Sequence, residues 1–257
     1  MYNREIYAPG TILQIMYIKE RMRNWVPGSF VEVGPGQGYI SKLLLDSGWS
    51  GVGYDLNIKS VNYLNEFLAS YIDQAKYEIF QENFIGTVGK EKLDLIISSM
   101  VLEHLSDSEV ESYMETAKGL MSEKGRVVFF LPANIHAWGV EDEIAGHFRR
   151  YDRESVIALA KHHGLKVSHI AGVTFPVSNI LLPLSNYLVA RAEGEKKNYS
   201  MHDKTVASGI RDVPLKTNFP PIAKAILNEH VMYPLHLLQK AFRHSSKCMV
   251  LYSEFTK

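Results

Sequence analysis

Hydrophobic positions along the chain alternate between two spacings. Short β-branched and aromatic runs, typical of strands, are separated by stretches where apolar residues recur every three or four positions, as on one helix face. The pattern predicts strands at 30–33, 51–55, 77–80, 93–98, 125–131, 165–173 and 248–255. It predicts helices at 12–25, 40–45, 61–71, 106–121 and 152–164. This alternation predicts a mostly parallel sheet with helices on both faces.

Two helix starts carry capping signals, and one long connection stands out. Ser106 followed by Glu109 has the pattern of a capping box, and Asp152 is a suitable N-cap residue. The region between the last two predicted strands, 176–247, is too long for a simple turn. We therefore predict an insertion there, before the last strand.

Composition and charge limit the class of protein. Apolar residues make up 46 % of the chain and the net charge is zero, so nothing global indicates a nucleic-acid partner. Residues 191–257 hold 11 Lys and Arg against 6 Asp and Glu. This basic part either meets an anionic surface or substrate, or is simply solvated. One cysteine, Cys248, excludes an internal disulfide and fits a reducing compartment, so we expect a cytoplasmic protein.

A glycine-rich segment, FVEVGPGQG, follows the first predicted strand and opens a helix. Glycines allow the backbone to turn tightly and to approach a ligand closely. A dinucleotide fingerprint needs its third glycine at position 39, where this chain has Tyr39. The third glycine is Gly38 instead, which disfavours a nicotinamide-dependent oxidoreductase.

Polar residues also follow the next three strands. Asp55 ends the second strand, and a carboxylate there can accept hydrogen bonds from both hydroxyls of a ribose. Asn83 and Phe84 follow the third strand and suit the edge and face of an adenine. Ser98 and Ser99 end the fourth strand. Together these positions predict a nucleoside site at one edge of the sheet.

In this order, the four elements resemble the class I S-adenosylmethionine-dependent methyltransferases over about residues 28–172. EVGPGQG resembles the first motif of that family, IISSMVLEHLSD its segment after strand four, and GRVVFFLPAN its fifth strand. The family more often has Asp where this chain has Asn83. The resemblance implies a Rossmann-like seven-stranded sheet with a mainly helical insertion, S-adenosylmethionine as cofactor and S-adenosylhomocysteine as product.

The resemblance also implies the cofactor residues and the organisation of the chain. The implied cofactor residues are Glu32, Gly34, Gly36, Gly38, Asp55, Leu56, Asn83, Phe84, Ser98 and Ser99. One methyltransferase domain then spans 1–257, with an N-terminal helical lid over 1–27 and a substrate cap over 176–247. Tyr2 or Tyr7 would close over the cofactor, with plain packing as the alternative.

Candidate catalytic chemistry is densest after strand five, in LPANIHAWGVEDEIAGHFRRYDRES. His147 is the first candidate for a general base, because an imidazole can take a proton near neutral pH. Asp142 or Glu143 would orient its ring, and Arg149 would bind an anionic group of the acceptor. The alternative is an ion-pair network that pins the loop. The predicted substrate residues are Tyr7, His136, Trp138, Asp142, Glu143, Arg149, Arg150 and Tyr151.

His104 is the second catalytic candidate. Some members of the family hold Mg²⁺ with a pair similar to Glu103 and His104, but Met100 stands where a further acid sometimes occurs. Two neighbouring ligands do not complete an octahedral site. We therefore favour a packed histidine and predict no metal site, with Mg²⁺ as the alternative.

The predicted function is methyl transfer to oxygen of a sugar or another small polar acceptor, in glycan or specialised metabolism. The segment D-x4-H-x-RRY resembles methyltransferases of bacterial polysaccharide and lipid-linked sugar assembly. The alternatives are N-methylation of an amine or amino sugar, and a non-catalytic regulatory protein that binds S-adenosylmethionine. Peripheral contact of 176–247 with the inner face of a membrane, and homodimerisation, are alternatives to its role as a cap.

Overall fold

Seven strands form one sheet in the computed structural model, which describes residues 6–88, 92–208 and 212–257. The strands are β1 (Ser29–Val33), β2 (Ser50–Tyr54), β3 (Tyr77–Phe80), β4 (Leu93–Ser99), β5 (Met121–Pro132), β6 (Lys166–Val173) and β7 (Val250–Thr256). Their order is β3-β2-β1-β4-β5-β7-β6, and β7 runs antiparallel to both of its neighbours. Each predicted strand is confirmed, although β5 begins earlier and β7 later than the pattern indicated.

Ten helices connect and cover these strands in the described ranges. They are α1 (Pro9–Met22), α2 (Tyr39–Asp46), α3 (Ile58–Phe67), α4 (Ala69–Ile72), α5 (Asp107–Leu120), α6 (Val140–Ala145), α7 (Arg153–His162), α8 (Val177–Glu193), α9 (Met201–Ser208) and α10 (Glu229–Ala241). The capping box at α5 is confirmed, because Ser106 and Glu109 exchange side chain-to-backbone hydrogen bonds. The predicted bounds of α1 were wrong by three residues, since Pro9 suits the first helical turn and the chain turns before Pro27.

The sheet is covered on both faces, as the alternation of the sequence predicted. Neighbouring residues of β1 point to opposite sides, so Phe30 belongs to one hydrophobic core and Val31 to the other. The first core contains apolar residues of α1, α2 and α3. The second contains apolar residues of α5 and α7.

The predicted insertion between β6 and β7 is mainly helical and contains α8, α9 and α10. Helix α10 packs on α1: the Nε2 of Gln239 donates to the carbonyl of Leu13 at 3.0 Å, and His236 lies 3.0 Å from a carboxylate oxygen of Glu20. The insertion therefore folds back onto the N-terminal helix. Within the described ranges, no helix combines the length and the apolar character needed to cross a membrane.

The strand order creates a crevice near the middle of the sheet. From β1 the chain proceeds to β2 and β3 on one side, while β4 and β5 lie on the other side. Ligands of open α/β sheets bind where the order reverses, beyond the carboxyl ends of the strands. The crevice therefore lies at the edge of the sheet formed by the carboxyl ends of the strands, between β1 and β4.

Candidate functional site

A cleft of about 390 Å³ opens at this edge. Its lining includes residues 32–37 after β1, 54–56 after β2, 82–85 after β3 and 99–101 after β4. These are the four segments that the sequence marked as a nucleoside site. The parallel strands bring them together because their carboxyl ends all point to the same edge.

Gly34 and Gly38 have different roles in the glycine loop. Both have a positive φ, +66° and +71°. An added Cβ at Gly34 would lie 2.7 Å from the Cγ2 of Val101, whereas one at Gly38 would collide with Leu64. Gly34 and Gly36 line the cleft, while Gly38 precedes α2 and permits its close packing on α3. The structure thus places Gly38 outside the cleft lining, because its neighbour is a helix.

Asp55 joins the glycine loop to the end of β2. Its carboxylate accepts hydrogen bonds from the backbone N–H of Gly36 at 3.1 Å and of Asn57 at 2.8 Å. Burial raises the pKa of Asp55, and these hydrogen bonds act in the opposite direction. A carboxylate has about four acceptor positions, so Asp55 retains the capacity to bind a diol in the cleft.

Glu32 is a second buried carboxyl group in the cleft lining. It accepts a hydrogen bond from the hydroxyl of Ser41. Burial raises the pKa of Glu32 to about 8, and the nearby charge of Asp55 adds to the effect. Glu32 therefore holds a proton at neutral pH.

Asn83 and Phe84 both line the cleft but differ in exposure. The Asn83 side chain is exposed and accepts a hydrogen bond from the N–H of Ile85 at 2.9 Å. Phe84 is only 2 % exposed, and its ring packs against those of Tyr113 and Tyr54 with centroids 5.1 and 6.0 Å apart. Most of the Phe84 ring thus belongs to the core, so its role as an adenine face stays a prediction.

The end of β4 and the N-terminal segment complete the cleft. Ser99 lines it, with its Oγ 3.1 Å from the Oη of Tyr39, whereas Ser98 is buried outside the lining. Tyr7 also lines the cleft, and its ring lies 5.9 Å from that of Tyr39. Tyr39 was not predicted as a cleft residue; from the sequence it was notable only because a dinucleotide fingerprint needs glycine at that position. Tyr2 lies outside the described residues.

A second cavity, of about 360 Å³, adjoins the cleft. The two share the residues Ala8, Thr11, Met100, His104 and Lys216. The lining of the second cavity also includes residues of α1, α6, α8, β7 and the segment 215–219, together with Glu103, Pro132, His147 and Arg150. A molecule in this cavity would therefore meet one in the cleft at Met100 and His104.

His147 lines the second cavity and is oriented by Asp142. Its Nδ1 lies 2.8 Å from Oδ1 of Asp142. The carboxylate of Asp142 also accepts two hydrogen bonds from Arg150, one at Oδ1 (2.8 Å) and one at Oδ2 (2.9 Å). Burial acts to raise the pKa of Asp142, but the hydrogen bonds from His147 and Arg150 lower it to about 2. Because Asp142 is ionised, Nδ1 of His147 carries a proton and Nε2 can accept one.

Glu103 and His104 surround the other side of the His147 ring. The His104 and His147 rings are nearly perpendicular, with centroids 4.6 Å apart, and Glu103 lies 3.9 Å from the Nε2 of His147. Burial raises the pKa of Glu103 to about 7, and a positive charge on His147 opposes this. Ligand atoms of all three lie within 4.8 Å of one another and could hold a metal ion. His147 thus adds a third potential ligand to the neighbouring pair Glu103 and His104.

Several predicted substrate residues line neither the cleft nor the second cavity. Arg149 donates to Asp107 and to the carbonyl of Leu105, both at 2.6 Å, and Tyr151 is buried with its hydroxyl 3.3 Å from the carbonyl of Leu102. The exposed side chains of this set are those of His136, Trp138 and Glu143. Arg150, and not Arg149, lines the second cavity. An ion-pair network, the alternative to a catalytic role for His147, is also present: it joins Asp142 to His147 and Arg150.

Residues that sequence reasoning missed come mainly from the insertion and from α1. Those in the second cavity include Thr11, Gln14, Leu181, Leu182, Leu188, Lys216 and Phe219. Lys216 forms an ion pair with Glu141 across the cavity lining. Nothing in the sequence marks these residues, because their position depends on how 176–247 folds over α6 and α1.

Met100 occupies the junction between the two cavities with an unusual backbone. Its φ is +56°, and its N–H donates to the carbonyl of Phe130 at 2.9 Å. Positive φ is uncommon in residues other than glycine and costs free energy that the surrounding structure must offset. The chain is therefore tightly constrained where the two cavities meet.

Comparison with known proteins identifies the kind of domain. A family model described as a methyltransferase domain matches residues 13–170. A search of curated proteins finds no match.

Three solved structures are similar in fold. The glycopeptide N-methyltransferase MtfA, complexed with S-adenosylmethionine, shares 14 % identity over 65 % of this chain and 87 % of its own, with a TM-score of 0.52. The pyocyanin biosynthetic protein PhzM shares 20 % over 64 % and 52 %, with a TM-score of 0.53. An S-adenosylmethionine-dependent methyltransferase from Clostridium acetobutylicum shares 12 % over 66 % and 85 %, with a TM-score of 0.51.

Proposed function

The chain belongs to the methyltransferase-domain family, and on that premise we propose that it transfers the methyl group of S-adenosylmethionine to oxygen of a sugar or another small polar acceptor. The observation that carries the choice of oxygen is the orientation of His147 by ionised Asp142 in the second cavity. A hydroxyl acceptor must lose a proton as it is methylated, whereas an amine needs a weaker base.

The cleft residues suit the cofactor, whose sulfonium supplies an activated methyl group. Asp55 holds the ribose hydroxyls, and the loop at Gly34 and Gly36 lies against the methionine part. A Cβ at Gly34 would meet Val101, so the loop has the close approach that only glycine permits. Glu32 adds a buried carboxyl group that donates as well as accepts hydrogen bonds while it is protonated. S-Adenosylhomocysteine remains as the product.

His147 and its neighbours perform the proton transfer. Nε2 of His147 takes the proton of the acceptor hydroxyl, and the negative charge of Asp142 stabilises the resulting imidazolium. Arg150 holds Asp142 in place through two hydrogen bonds. His104 lines both cavities and positions the acceptor beside the methyl group.

The insertion 176–247 acts as a cap over the acceptor. Leu181, Leu182 and Leu188 of α8 contribute apolar side chains to the lining of the second cavity, which also contains His147 and Arg150. This combination suits an acceptor with both a polar and an apolar part, such as a lipid-linked sugar. The N-terminal segment with Tyr7 covers the cofactor in the same way.

Contact with an anionic membrane surface would bring such an acceptor to the cap. Helix α10 exposes the apolar residues Val231, Tyr233, Leu237 and Leu238. Arg243 follows directly after α10, whereas Lys240 near its end forms an ion pair with Glu20. An apolar face with basic residues at its edge is suited to the interface of an anionic bilayer. A homodimer is the alternative for this face, and sedimentation with vesicles against sedimentation alone separates the two.

N-Methylation of an amine is the alternative reaction. Glu103 and Glu141 line the same cavity as His147, and carboxylates there would hold an ammonium group. A non-catalytic protein that binds S-adenosylmethionine is a further alternative. It is disfavoured because an oriented base lies next to the cofactor cleft.

Transfer of tritium from methyl-labelled S-adenosylmethionine tests the proposal. A lysate of the source organism without this gene serves as acceptor, and the products are divided into polymer, lipid and small-molecule phases. We expect counts in the lipid or small-molecule phase that Asp55→Ala abolishes, with the label on oxygen by mass spectrometry. Label on nitrogen would favour the amine alternative, and no counts despite S-adenosylhomocysteine binding would favour the non-catalytic one.

A further inference from the structure

Three metal-ligating side chains meet on the surface away from both cavities. Glu111 projects from α5, while His162 and His163 stand at the end of α7. Nε2 of His162 lies 3.1 Å from one carboxylate oxygen of Glu111, and Nε2 of His163 lies 3.5 Å from the other. Ligand atoms of all three residues lie within 4.8 Å of one another.

These distances fit a shared metal ion. Zinc binds imidazole nitrogen and carboxylate oxygen at about 2.0–2.2 Å, so neighbouring ligands of a tetrahedral site lie about 3.4 Å apart. The two separations from Glu111, 3.1 and 3.5 Å, enclose this value. Imidazole with carboxylate also favours a transition metal over Mg²⁺ or Ca²⁺, which prefer oxygen ligands alone.

His163 supplies a second and independent observation. The residue is only 7 % exposed, and its buried Nε2 makes no hydrogen bond with the described residues; its 3.5 Å contact with Glu111 is an ion pair only when the imidazole is protonated. A buried imidazole nitrogen without a partner is costly unless something satisfies it. The His162 and Glu111 side chains are 66 % and 47 % exposed, so an ion and a completing water can reach the site from solvent.

We propose that Glu111, His162 and His163 bind a divalent transition-metal ion of the zinc type, which fastens the end of α7 to α5. The site does not depend on methyl transfer, because its residues line neither cavity. Helix α7 begins directly after the His147–Tyr151 segment. The ion would therefore stabilise the helix that anchors that segment.

Zinc binding by the full chain tests the proposal. The protein is freed of metal with a chelator, and ZnCl₂ alone is added in equilibrium dialysis and in thermal unfolding. We expect zinc to raise the melting temperature of the wild type. Glu111→Gln and His162→Ala should each weaken binding at least tenfold and remove this rise; both side chains are solvent-exposed, so the variants should fold. Co²⁺ should give the visible bands of tetrahedral coordination, and His162→Ala should remove them.

Two matched controls make the result decisive. Glu66→Gln removes one exposed negative charge from α3, which packs on the other face of the sheet, and should leave zinc binding unchanged. His147→Gln removes a ligand from the other cluster, with Glu103 and His104. Zinc should still raise the melting temperature of this variant as it does that of the wild type. The proposal is overturned if the wild type binds no zinc, if Glu66→Gln weakens binding as much as Glu111→Gln, or if only His147→Gln abolishes it.

Discussion

The cofactor cleft and the second cavity lie side by side but are built differently. The cleft is lined largely by turns that directly follow β1, β2, β3 and β4. The second cavity combines the start of α1, the segment 141–150, one side of α8 and the residues 215–219. The first site therefore follows from the order of strands along the chain, whereas the second depends on contacts between distant segments.

The two regions also hold their carboxylates by different means. Asp55 is held by backbone N–H groups, and its burial leaves its pKa raised. Asp142 is held by His147 and Arg150, which lower its pKa to about 2. The backbone N–H groups around Asp55 keep the shape of the cleft constant. At Asp142, in contrast, one partner is His147, whose imidazole can gain or lose a proton. This contrast fits a binding site beside a site of proton transfer.

The largest expected effect is on catalysis. His147→Gln removes the base and should lower kcat about 10²- to 10⁴-fold, the usual contribution of a general base. The affinity for S-adenosylhomocysteine, measured by calorimetry, should not change, because His147 lines only the second cavity. Glu66→Gln, a substitution at an exposed position of α3 that lines neither cavity, is the control. An equal loss of S-adenosylhomocysteine binding would show that His147 supports the cleft structurally.

The next largest effect is on cofactor binding. Asp55→Ala removes two charge-assisted hydrogen bonds to the ribose, each worth about 1.5–3 kcal/mol, so the Kd for S-adenosylhomocysteine should rise about 100-fold or more. Calorimetry measures this change, and the circular dichroism of the variant checks its fold. Asp73→Ala, an exposed carboxylate outside the cleft, should bind normally. An unchanged Kd for Asp55→Ala would exclude Asp55 as the ribose ligand.

A smaller effect is expected on the acceptor alone. Leu182→Trp fills part of the second cavity and should raise the KM of the acceptor about tenfold, within the range seen for altered hydrophobic pockets. Binding of S-adenosylhomocysteine should stay the same. Ile180→Trp, on the exposed side of α8, is the matched control. If both variants act alike, the acceptor does not occupy this cavity.

The pH dependence of the melting temperature should also distinguish the two regions. The pKa of Glu32 is about 8 in the folded chain and near 4.5 when unfolded, so its contribution is present below pH 4.5 and is lost as the pH rises to 8. Asp142 has a lowered folded pKa of about 2, so its contribution is present above pH 3.8 and is lost as the pH falls towards 2. Each pKa unit corresponds to about 1.4 kcal/mol.

Scanning calorimetry across pH therefore separates the two carboxyl groups. Glu32→Gln should reduce the decline of the melting temperature between pH 5 and 8, and Asp142→Asn should reduce the decline below pH 4. The two variants test the contrast between the regions because their effects fall in separate pH ranges, between pH 5 and 8 for Glu32 and below pH 4 for Asp142. Parallel pH profiles for both variants would contradict the opposite pKa shifts.

Much of the cleft could be predicted from the sequence because its signals are local. The strands were found from runs of a few residues, and Gly34 and Asp55 follow directly from their positions after β1 and β2. Asp142 was one of the two residues predicted to orient His147, since Asp142 and His147 are only five positions apart along the chain. Ser98 was predicted as a cleft residue with Ser99, but only Ser99 lines the cleft, since neighbouring strand residues face opposite ways.

The sequence by itself determined the class of fold, the family and the edge of the sheet where the cleft proposed for the cofactor opens. Hydrophobic periodicity and short motifs carry that information within a few residues of each other. Only the tertiary structure placed His147 against Glu103, Lys216 in both cavities, and Glu111 between His162 and His163. These contacts join segments far apart in the chain, and packing against the rest of the molecule decides which side chains meet.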